Sequence, residues 1–215
     1  TGSNGSDVFH LSPTARWSGT LSGGAGTDRL NFGAFTTGVS VSLRDGSASF
    51  ASASADGTTT AFVGQIAQFE VVNGGVGNDS LIGDDGANSL FGGAGDDLLV
   101  GAHGNDSLSG GAGDDVLSDI PSGNVLNGGA GNDTLRVSGS FSMTANTLKA
   151  ITGIETVLGA SSADSLIGTP GRDLFQLTSS GVTMGSFGGV TFNGFETLSG
   201  SGGNDVFVIS DGSGF

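Results

Sequence analysis

The sequence predicts an all-β fold, a parallel β-solenoid whose short coils are joined by glycine-rich turns. Three observations favour it. Residues 74–136 divide into seven consecutive nonapeptides with no break in register, 43 of the 215 residues are glycine, and no stretch of useful length has helical periodicity. A unit of nine residues is too small to bury an apolar face alone, so neighbouring units must stack. We therefore expect one continuous, elongated body.

Each nonapeptide has a glycine-rich half and a strand half. In residues 92–97 the glycines permit positive φ, so the chain can turn sharply and aim its carbonyl groups at one point. Residues 98–100 then read as a short strand, in which alternation puts the eighth residue of the unit on one face. That residue is always a large aliphatic: Leu81, Leu90, Leu99, Leu108, Leu117, Leu126 and Leu135. Two units make a coil of eighteen residues, so these leucines should stack between two parallel sheets.

Such a narrow core cannot hold the coils by itself. Burying one leucine contributes about 2 kcal/mol, whereas ordering each of nine residues costs on the order of 1–2 kcal/mol. The turns must therefore be stabilised by something other than apolar burial.

The sixth position of the unit offers an answer, because it is always Asp or Asn: Asp79, Asn88, Asp97, Asp106, Asp115, Asn124 and Asp133. Carboxylates with converging carbonyl groups form an all-oxygen site, which suits Ca²⁺ rather than zinc or copper. The chain has no cysteine and only His10 and His103, which excludes a nitrogen–sulfur site. Gly-Asn-Asp and Gly-Asp-Asp also occur in ordinary turns, and for a single copy that interpretation stays open.

Two units per coil place units eighteen residues apart on the same edge of the solenoid. The first edge carries the units starting at 74, 92, 110 and 128, whose sixth residues are all aspartate. The second edge carries the units starting at 83, 101 and 119, where Asn88 and Asn124 flank Asp106 and residues 119–122 replace the glycines. The hypothesis is asymmetric calcium loading, with up to three good sites on the first edge and a weak or empty second edge.

Charge and composition exclude several classes of protein. A net charge of −15 argues against nucleic-acid binding, which needs a basic surface. The acidic residues either keep the protein soluble or bind divalent counter-ions. Without cysteine there is no disulfide framework, and no apolar run approaches the 18 residues of a membrane-spanning helix. The chain starts at Thr1 without a signal-peptide pattern and ends in a turn at 210–215, so we expect a piece of a longer protein.

Residues 1–73 read as solenoid coils with degenerate repeats and a long loop. Residues 2–10 form a degenerate unit, and residues 23–31 form a fuller one, with Asp28 as a candidate calcium ligand. Trp17 could serve as a carbohydrate platform or pack on the core or an edge. Residues 39–43, 61–63 and 69–72 read as strands, whereas residues 47–60 are small and polar and read as a turn or loop.

Residues 137–215 read as further coils with isolated repeats at 159–167, 168–176 and 200–208. Their sixth residues, Asp164, Asp173 and Asp205, are candidate ligands, although the last unit lacks a partner eighteen residues away. Glu70, Glu155 and Glu196 each precede a sixth-position aspartate by nine residues. These glutamates are either ligands or, as the simpler interpretation has it, solvated residues of strands that re-enter the repeat register.

The pattern G-G-x-G-x-D-x-U-x, with U a large aliphatic residue, is the known consensus of the RTX or haemolysin-type calcium-binding repeat, which this sequence resembles. The resemblance implies a right-handed parallel β-roll, type I export from a Gram-negative bacterium, and folding that waits for extracellular calcium. It also implies carbonyl ligands from the glycine turns: Gly75, Gly77, Gly93, Gly95, Gly111 and Gly113. The long spacers resemble those of large surface proteins, adhesins or S-layer-like assemblies.

Three functions remain open at this point. The first is a structural or adhesive solenoid, secreted or on the cell surface, that folds on calcium and assembles with copies of itself or with a cell-surface or matrix partner. Ile82, Leu98, Val100 and Val116 form an outward apolar stripe consistent with assembly, unless a spacer loop covers it. The second is the calcium-folding module of a secreted hydrolase or polysaccharide-modifying enzyme. The third is carbohydrate binding. No catalytic motif is found, so we expect no enzyme activity in these residues.

Overall fold

The computed structural model describes residues 1–14, 16–53, 59–119, 123–138, 140–142, 151–159, 164–168, 174–178, 181–184, 190–195 and 197–209. Within these residues all regular secondary structure is β-strand. None of the described residues forms a helix long and apolar enough to cross a membrane.

The strands fall into three consecutive groups. Those before the tandem repeats are β1 (Val8–His10), β2 (Thr20–Ser22), β3 (Arg29–Asn31), β4 (Val39–Ser42), β5 (Ser47–Ala53) and β6 (Thr59–Ala67). Those of the tandem repeats are β7 (Val71–Val76), β8 (Ser80–Ile82), β9 (Ser89–Ala94), β10 (Leu98–Val100), β11 (Ser107–Ala112), β12 (Val116–Ser118), β13 (Val125–Ala130) and β14 (Thr134–Val137). Those after them are β15 (Ser140–Ser142), β16 (Ile151–Thr152), β17 (Thr156–Gly159), β18 (Ser165–Ile167), β19 (Leu174–Thr178), β20 (Gly181–Met184), β21 (Thr191–Asn193), β22 (Thr197–Ser199) and β23 (Val206–Ile209).

The tandem repeats alternate between two parallel sheets, as predicted. Among the described residues, sheet 1 has seven strands in the order β1-β3-β7-β9-β11-β13-β16. Sheet 2 has thirteen described strands and contains β8, β10, β12 and β14 as neighbours. In sheet 2, Leu99 pairs with Leu81 and Leu117, so each coil advances by eighteen residues. The prediction of an all-β parallel solenoid is confirmed.

The core between the two sheets is a row of stacked leucines. Leu108 pairs with Leu90 and Leu126 in sheet 1, opposite the row of sheet 2. All seven eighth-position leucines are at most 1% exposed. At about 2 kcal/mol for each buried leucine, this row stabilises the stack of coils but leaves the turns at both edges to be held by polar contacts.

The structure corrects the predicted loop at residues 47–60. β5 (Ser47–Ala53) pairs antiparallel with β4 and with β6, so most of this segment is strand. The resulting insert continues sheet 2, because β4 runs parallel to β8 and β6 runs parallel to β2. Serine and alanine surround a single large apolar residue, Phe50, so the hydrophobic signal of this strand is weak in the sequence. Residues 54–58 lie outside the described residues.

Aromatic side chains close the core at this end. The ring of Phe35 packs edge-on against Phe50 at 4.7 Å and against Phe32 at 5.3 Å. Trp17 is partly buried, lies 6.5 Å from the ring of Phe50, and donates from Nε1 to the carbonyl oxygen of Gln65 at 3.0 Å. Trp17 therefore packs on the edge of the core, in line with the packing alternative.

The C-terminal segment adds a sheet that the sequence did not predict. In the described residues β15, β18 and β22 form a separate parallel sheet of three strands, while β17 and β21 continue sheet 2. β23 pairs in parallel with β19, with Phe207 opposite Phe175. Strands of the two C-terminal repeats, 168–176 and 200–208, are thereby neighbours although they are 32 residues apart in sequence.

Candidate metal-binding turns

Glycine is required at the second and fourth positions of each turn on the first edge, because both positions have positive φ. At the second position Gly75, Gly93 and Gly111 have φ of 151°, 125° and 126°, a region that side chains with a Cβ rarely adopt. A Cβ on Gly93 would also collide with the carbonyl oxygen of Gly75 in the coil before it. The turns of successive coils therefore stack backbone to backbone, with carbonyl oxygens aimed from one coil to the next.

The aspartates of the first edge form a hydrogen-bonded ladder between coils. Asp97 Oδ1 accepts the backbone N–H of Asp79 at 2.7 Å, and Asp115 Oδ1 accepts that of Asp97 at 2.8 Å. Asp133 Oδ1 accepts the N–H of Asp115 at 2.8 Å in the same way. Asp79 Oδ1 starts the ladder by accepting the N–H of Val39 at 2.7 Å. One oxygen of each carboxylate is thus committed to backbone contact.

The other oxygen of each of these carboxylates has no partner. Asp79, Asp97, Asp115 and Asp133 are at most 3% exposed, and their Oδ2 atoms are buried without a hydrogen bond. Burying an unpaired charged oxygen is costly, so native structures leave few such groups unsatisfied. The ladder therefore presents a column of carboxylate oxygens that require a cation or a proton.

The Oδ2 atoms of Asp79, Asp97 and Asp115 each lie beside the first glycine of their own unit, where the lack of a Cβ leaves a small pocket. A Cβ on Gly74, Gly92 or Gly110 would collide with Oδ2 of the same unit's aspartate. The same Cβ would lie 2.6–2.7 Å from the carbonyl oxygen of the first glycine eighteen residues further on, in the next coil. A carboxylate oxygen and a carbonyl oxygen of successive coils therefore converge at three equivalent places on the first edge.

Burial raises the pKa of these carboxyl groups. Desolvation is the main cause of a pKa of about 6 for Asp79, Asp97 and Asp115, and a backbone hydrogen bond to each carboxylate opposes it. Neighbouring carboxylates add to the increase, as between Asp97 and Asp115. The pKa values of Asp106 and Asp133 are raised as well, again mainly by burial. Repulsion within the column favours a bound cation at neutral pH.

The donor atoms fit calcium. No group of three or more His, Cys, Asp or Glu side chains that could hold a metal occurs in the described residues. An ion here must therefore combine carboxylates with backbone carbonyls, and Ca²⁺ accepts six to eight such oxygen ligands. Calcium would then supply the counter-charge that the buried Oδ2 atoms lack.

The structure also places the glycines named in the sequence analysis, and it adds others. The backbone N–H of Gly77, Gly95 and Gly113 donates to the carbonyl of residue 94, 112 and 130 in the next coil. The carbonyl oxygens of the second- and fourth-position glycines lie against the following turn. The first-position glycines Gly74, Gly92 and Gly110 were not singled out, because spacing alone does not show which carbonyl faces the carboxylate. The ligand assignment itself stays a prediction.

The second edge repeats the ladder with amides in place of two carboxylates. Asp106 Oδ1 accepts the N–H of Asn88 at 2.9 Å, and Asn124 Oδ1 accepts that of Asp106 at 2.6 Å. The Asn88 side chain is satisfied locally, since its Oδ1 accepts the N–H of Asp84 at 2.8 Å and its Nδ2 donates to Asp84 Oδ1 at 3.3 Å. Asn88 therefore carries neither charge nor an unsatisfied oxygen.

Two glutamates prove to be rungs of these ladders. Glu70 Oε2 accepts the N–H of Asp28 at 2.7 Å, and Glu155 Oε2 accepts that of Asp133 at 2.8 Å. Both glutamates lie just before a strand rather than within one, and each spans two coils. Glu155 is nevertheless exposed, as the solvated interpretation has it, whereas Glu70 is half-buried. The sequence did contain a signal for this role: each glutamate lies nine residues before a sixth-position aspartate and so occupies the sixth position of the preceding unit. Glu196 lies outside the described residues.

The remaining candidate calcium ligands lie outside the tandem repeats of residues 74–136. Asp28 is fully buried with its Oδ2 unpartnered, and its Oδ1 accepts the N–H of Asp7 at 2.8 Å. Asp164 is also fully buried, and a Cβ on Gly159 would lie 2.8 Å from its Oδ2. Asp205 is partly buried beside Gly200, and Asp173 lies outside the described residues. The first-glycine and sixth-aspartate pairing thus recurs beyond the tandem repeats.

A model of one known protein family matches the tandem repeats and two units outside them. The family model described as "RTX calcium-binding nonapeptide repeat (4 copies)" matches residues 20–36, 69–99, 91–118, 122–139 and 190–208. The matched segments include the unit at 23–31 and the isolated unit at 200–208. They leave a gap between 118 and 122, where the turn departs from the consensus at Asp119. No individual curated protein matches the chain.

Proposed function

The chain belongs to the family of proteins with RTX calcium-binding nonapeptide repeats, and from this premise we propose that it is a calcium-folded structural segment of a secreted or surface-exposed bacterial protein. Its role is to form a stiff solenoid that spaces or assembles other parts outside the cell, without catalysis. The observation that carries this proposal is the column of buried, unpartnered Oδ2 atoms on the first edge.

Calcium binding and folding are the same event in this proposal. The sites lie between coils, and each needs a carboxylate from one turn and a carbonyl from the next. They cannot exist in the unfolded chain, so the free energy of binding stabilises the fold directly. Extracellular calcium modules commonly have Kd of about 10⁻⁴–10⁻³ M, so the chain would stay unfolded where calcium is scarce and fold after export.

Assembly is supported by one surface of sheet 2. Leu98 pairs with Val116, and Val100 with Ile82, so the four residues form a compact apolar stripe on the outer face. Leu98 is 38% exposed and the other three are partly buried. The stripe is small, which favours a weak contact repeated along an assembly over a stable dimer.

A calcium titration followed by circular dichroism tests the proposal. The chelator-treated chain should lack most of its β-sheet signal, regain it as calcium rises to the millimolar range, and lose it again when chelator is added. Magnesium at the same concentration is the control, because it matches the charge but demands a small octahedral shell. An unchanged β-sheet signal and Tm after thorough metal removal would refute calcium-dependent folding.

A further inference from the structure

The second edge contains an acidic residue where the repeat calls for glycine. Asp119 occupies the first position of its unit, the position held by Gly92, Gly110 and Gly128 on the first edge. It follows β12 directly and is 8% exposed. In the sequence Asp119 departs from the repeat consensus, which has glycine at this position. Its side chain is nevertheless buried between coils and does not point to solvent.

Two carboxylates converge at this point of the second edge. A Cβ on Gly101 would collide with Asp119 Oδ2 and lie 2.7 Å from Asp106 Oδ2. On the first edge the equivalent pocket at Gly92 contains one carboxylate oxygen, from Asp97, and one carbonyl oxygen, from Gly110. Glycine at 101 leaves the space that lets both acidic side chains approach. Two carboxylate oxygens therefore lie beside Gly101, where the first-edge pocket at Gly92 has one.

The pocket at Gly83, one coil earlier, shows the contrast. The two oxygens nearest to a Cβ on Gly83 would be Asn88 Oδ1 and the carbonyl oxygen of Gly101, both of which are neutral. Asn88 Oδ1 already accepts the N–H of Asp84 at 2.8 Å. This neighbouring pocket thus has its hydrogen-bonding needs met within the protein.

An independent observation also points to a cation beside Gly101. Asp106 is 2% exposed, and its Oδ1 accepts the N–H of Asn88 at 2.9 Å. Its Oδ2 is buried, has no hydrogen-bond partner, and faces the pocket that Asp119 also enters. A buried carboxylate beside a second carboxylate is strongly unfavourable unless a cation or a proton lies between them.

We propose that Asp106 and Asp119 together bind one calcium ion on the second edge. Asp119 supplies a second carboxylate in a coil whose sixth residue is the neutral Asn124, and two carboxylates match the charge of a divalent ion. Both donors are hard oxygens, and backbone carbonyls and water complete a calcium shell of six to eight ligands. The site deepens the proposed function and rests on it. It also changes the expected asymmetry, because the second edge then holds one site beside Asp106 and none beside Asn88.

Substitution of Asp119 tests this site. Asp119→Gly restores the residue that the repeat carries elsewhere at this position, and Asp119→Asn keeps the shape of the side chain. Both variants should bind one calcium ion fewer than the unmodified chain, counted by isothermal titration calorimetry and checked by equilibrium dialysis. Circular dichroism in saturating calcium shows whether each variant is folded. The matched control is Asp85→Asn, which removes one exposed charge from the same edge and should leave the ion count unchanged.

The possible results distinguish a failure of the Asp106–Asp119 site from a failure of the proposed function. If the Asp119→Gly and Asp119→Asn variants bind as many ions as the unmodified chain with equal affinity, the two carboxylates share a proton and the site is refuted. Calcium-dependent folding on the first edge would survive that result. If the unmodified chain binds no calcium at all, the proposed function and this site are both refuted.

Discussion

The two edges of the solenoid share a ladder of hydrogen bonds between coils but differ in chemistry. On both edges the sixth-position side chain accepts a backbone N–H from the sixth residue of the preceding coil. Asn124 accepts that of Asp106 at 2.6 Å, and Asp115 accepts that of Asp97 at 2.8 Å, so an amide and a carboxylate are equivalent acceptors here. The ladder therefore does not require aspartate. What aspartate adds on the first edge is a second oxygen that is charged, buried and unpartnered, and this is the oxygen that we propose as the calcium ligand.

The largest expected effect comes from removing this charge on the first edge. Asp115→Asn keeps the Oδ1 acceptor for Asp97 but removes the carboxylate between two neighbouring rungs. Calcium affinity should fall about 100-fold, equivalent to about 2.7 kcal/mol, because ligand charge sets the affinity of such sites. In the absence of calcium the same substitution should stabilise the fold, since it relieves a buried, unpaired charge.

The neighbouring residue provides a matched control. Asp114 is exposed and its Oδ1 accepts the N–H of Asn132 at 2.8 Å. Asp114→Asn removes the same charge one residue away without touching the buried column, so calorimetry should show nearly unchanged calcium affinity. Equal losses for the two variants would show that overall charge, rather than the buried oxygen, governs binding.

Backbone strain gives the next largest effect. Gly93 has φ of 125°, and an added Cβ would collide with the carbonyl oxygen of Gly75. Gly93→Ala should therefore lower the free energy of unfolding by about 2 kcal/mol or more in saturating calcium, measured by urea denaturation. Gly86→Ala is the control on the second edge, because the nearest atom to its Cβ would be the Asp84 side chain at 3.1 Å. A loss as large for Gly86→Ala would contradict the assigned stacking of first-edge turns.

The metal-free fold should depend on pH through the same carboxylates. The pKa of Asp79, Asp97 and Asp115 is raised from 3.8 to about 6 in the folded chain. Protonation therefore stabilises the fold fully below about pH 4, and this stabilisation is lost as the pH rises through about 6. In chelator, the β-sheet signal in circular dichroism should therefore be strongest near pH 4 and should be lost towards pH 8, where the proposed function expects an unfolded chain.

High salt separates this effect from general repulsion on an acidic surface. Salt screens exposed charges much more than buried ones, so the decrease in stability should persist at high ionic strength. The Asp115→Asn variant should show a smaller decrease, because one of the titrating groups is gone. A stability that stays constant or rises between pH 4 and pH 8 would contradict the assignment of buried, unpaired carboxylates.

The smallest effect is expected at the outer rim of the second edge. His103 Nδ1 lies 3.1 Å from Asp85 Oδ1, and both side chains are largely exposed. Exposed pairs of this kind contribute little, so His103→Ala should change neither the Tm nor the calcium affinity measurably. A clear loss of calcium affinity would place an ion at the rim and not beside the buried column.

The repeat architecture was predictable because one short period carries several independent signals at once. Leu99 fixes the inward face, Gly93 and Gly95 fix the turn, and Asp97 marks the edge, so each nonapeptide confirms the next. The strand β5 was not predictable, because Phe50 is its only large apolar residue among serine and alanine and its pairing comes from neighbouring strands. The spacing of Glu70 and Glu155 was visible in the sequence, but their contacts depend on how the spacer coils re-enter the stack.

Asp119 illustrates the limit of reading a site from its consensus. A residue that breaks the repeat is naturally interpreted as a lost site, and only the burial of its side chain next to Asp106 suggests the opposite. Which oxygen faces which pocket depends on backbone geometry that the consensus does not encode.

A crystal structure of the calcium-loaded chain, with each ion located by its anomalous scattering, would show which oxygen atoms bind calcium. We predict ions between successive coils of the first edge, beside the Oδ2 atoms of Asp79, Asp97 and Asp115, and no ion beside Asn88. An ion beside Asn88 as fully occupied as those of the first edge would contradict the account, as would first-edge aspartates whose Oδ2 atoms bind only protein groups.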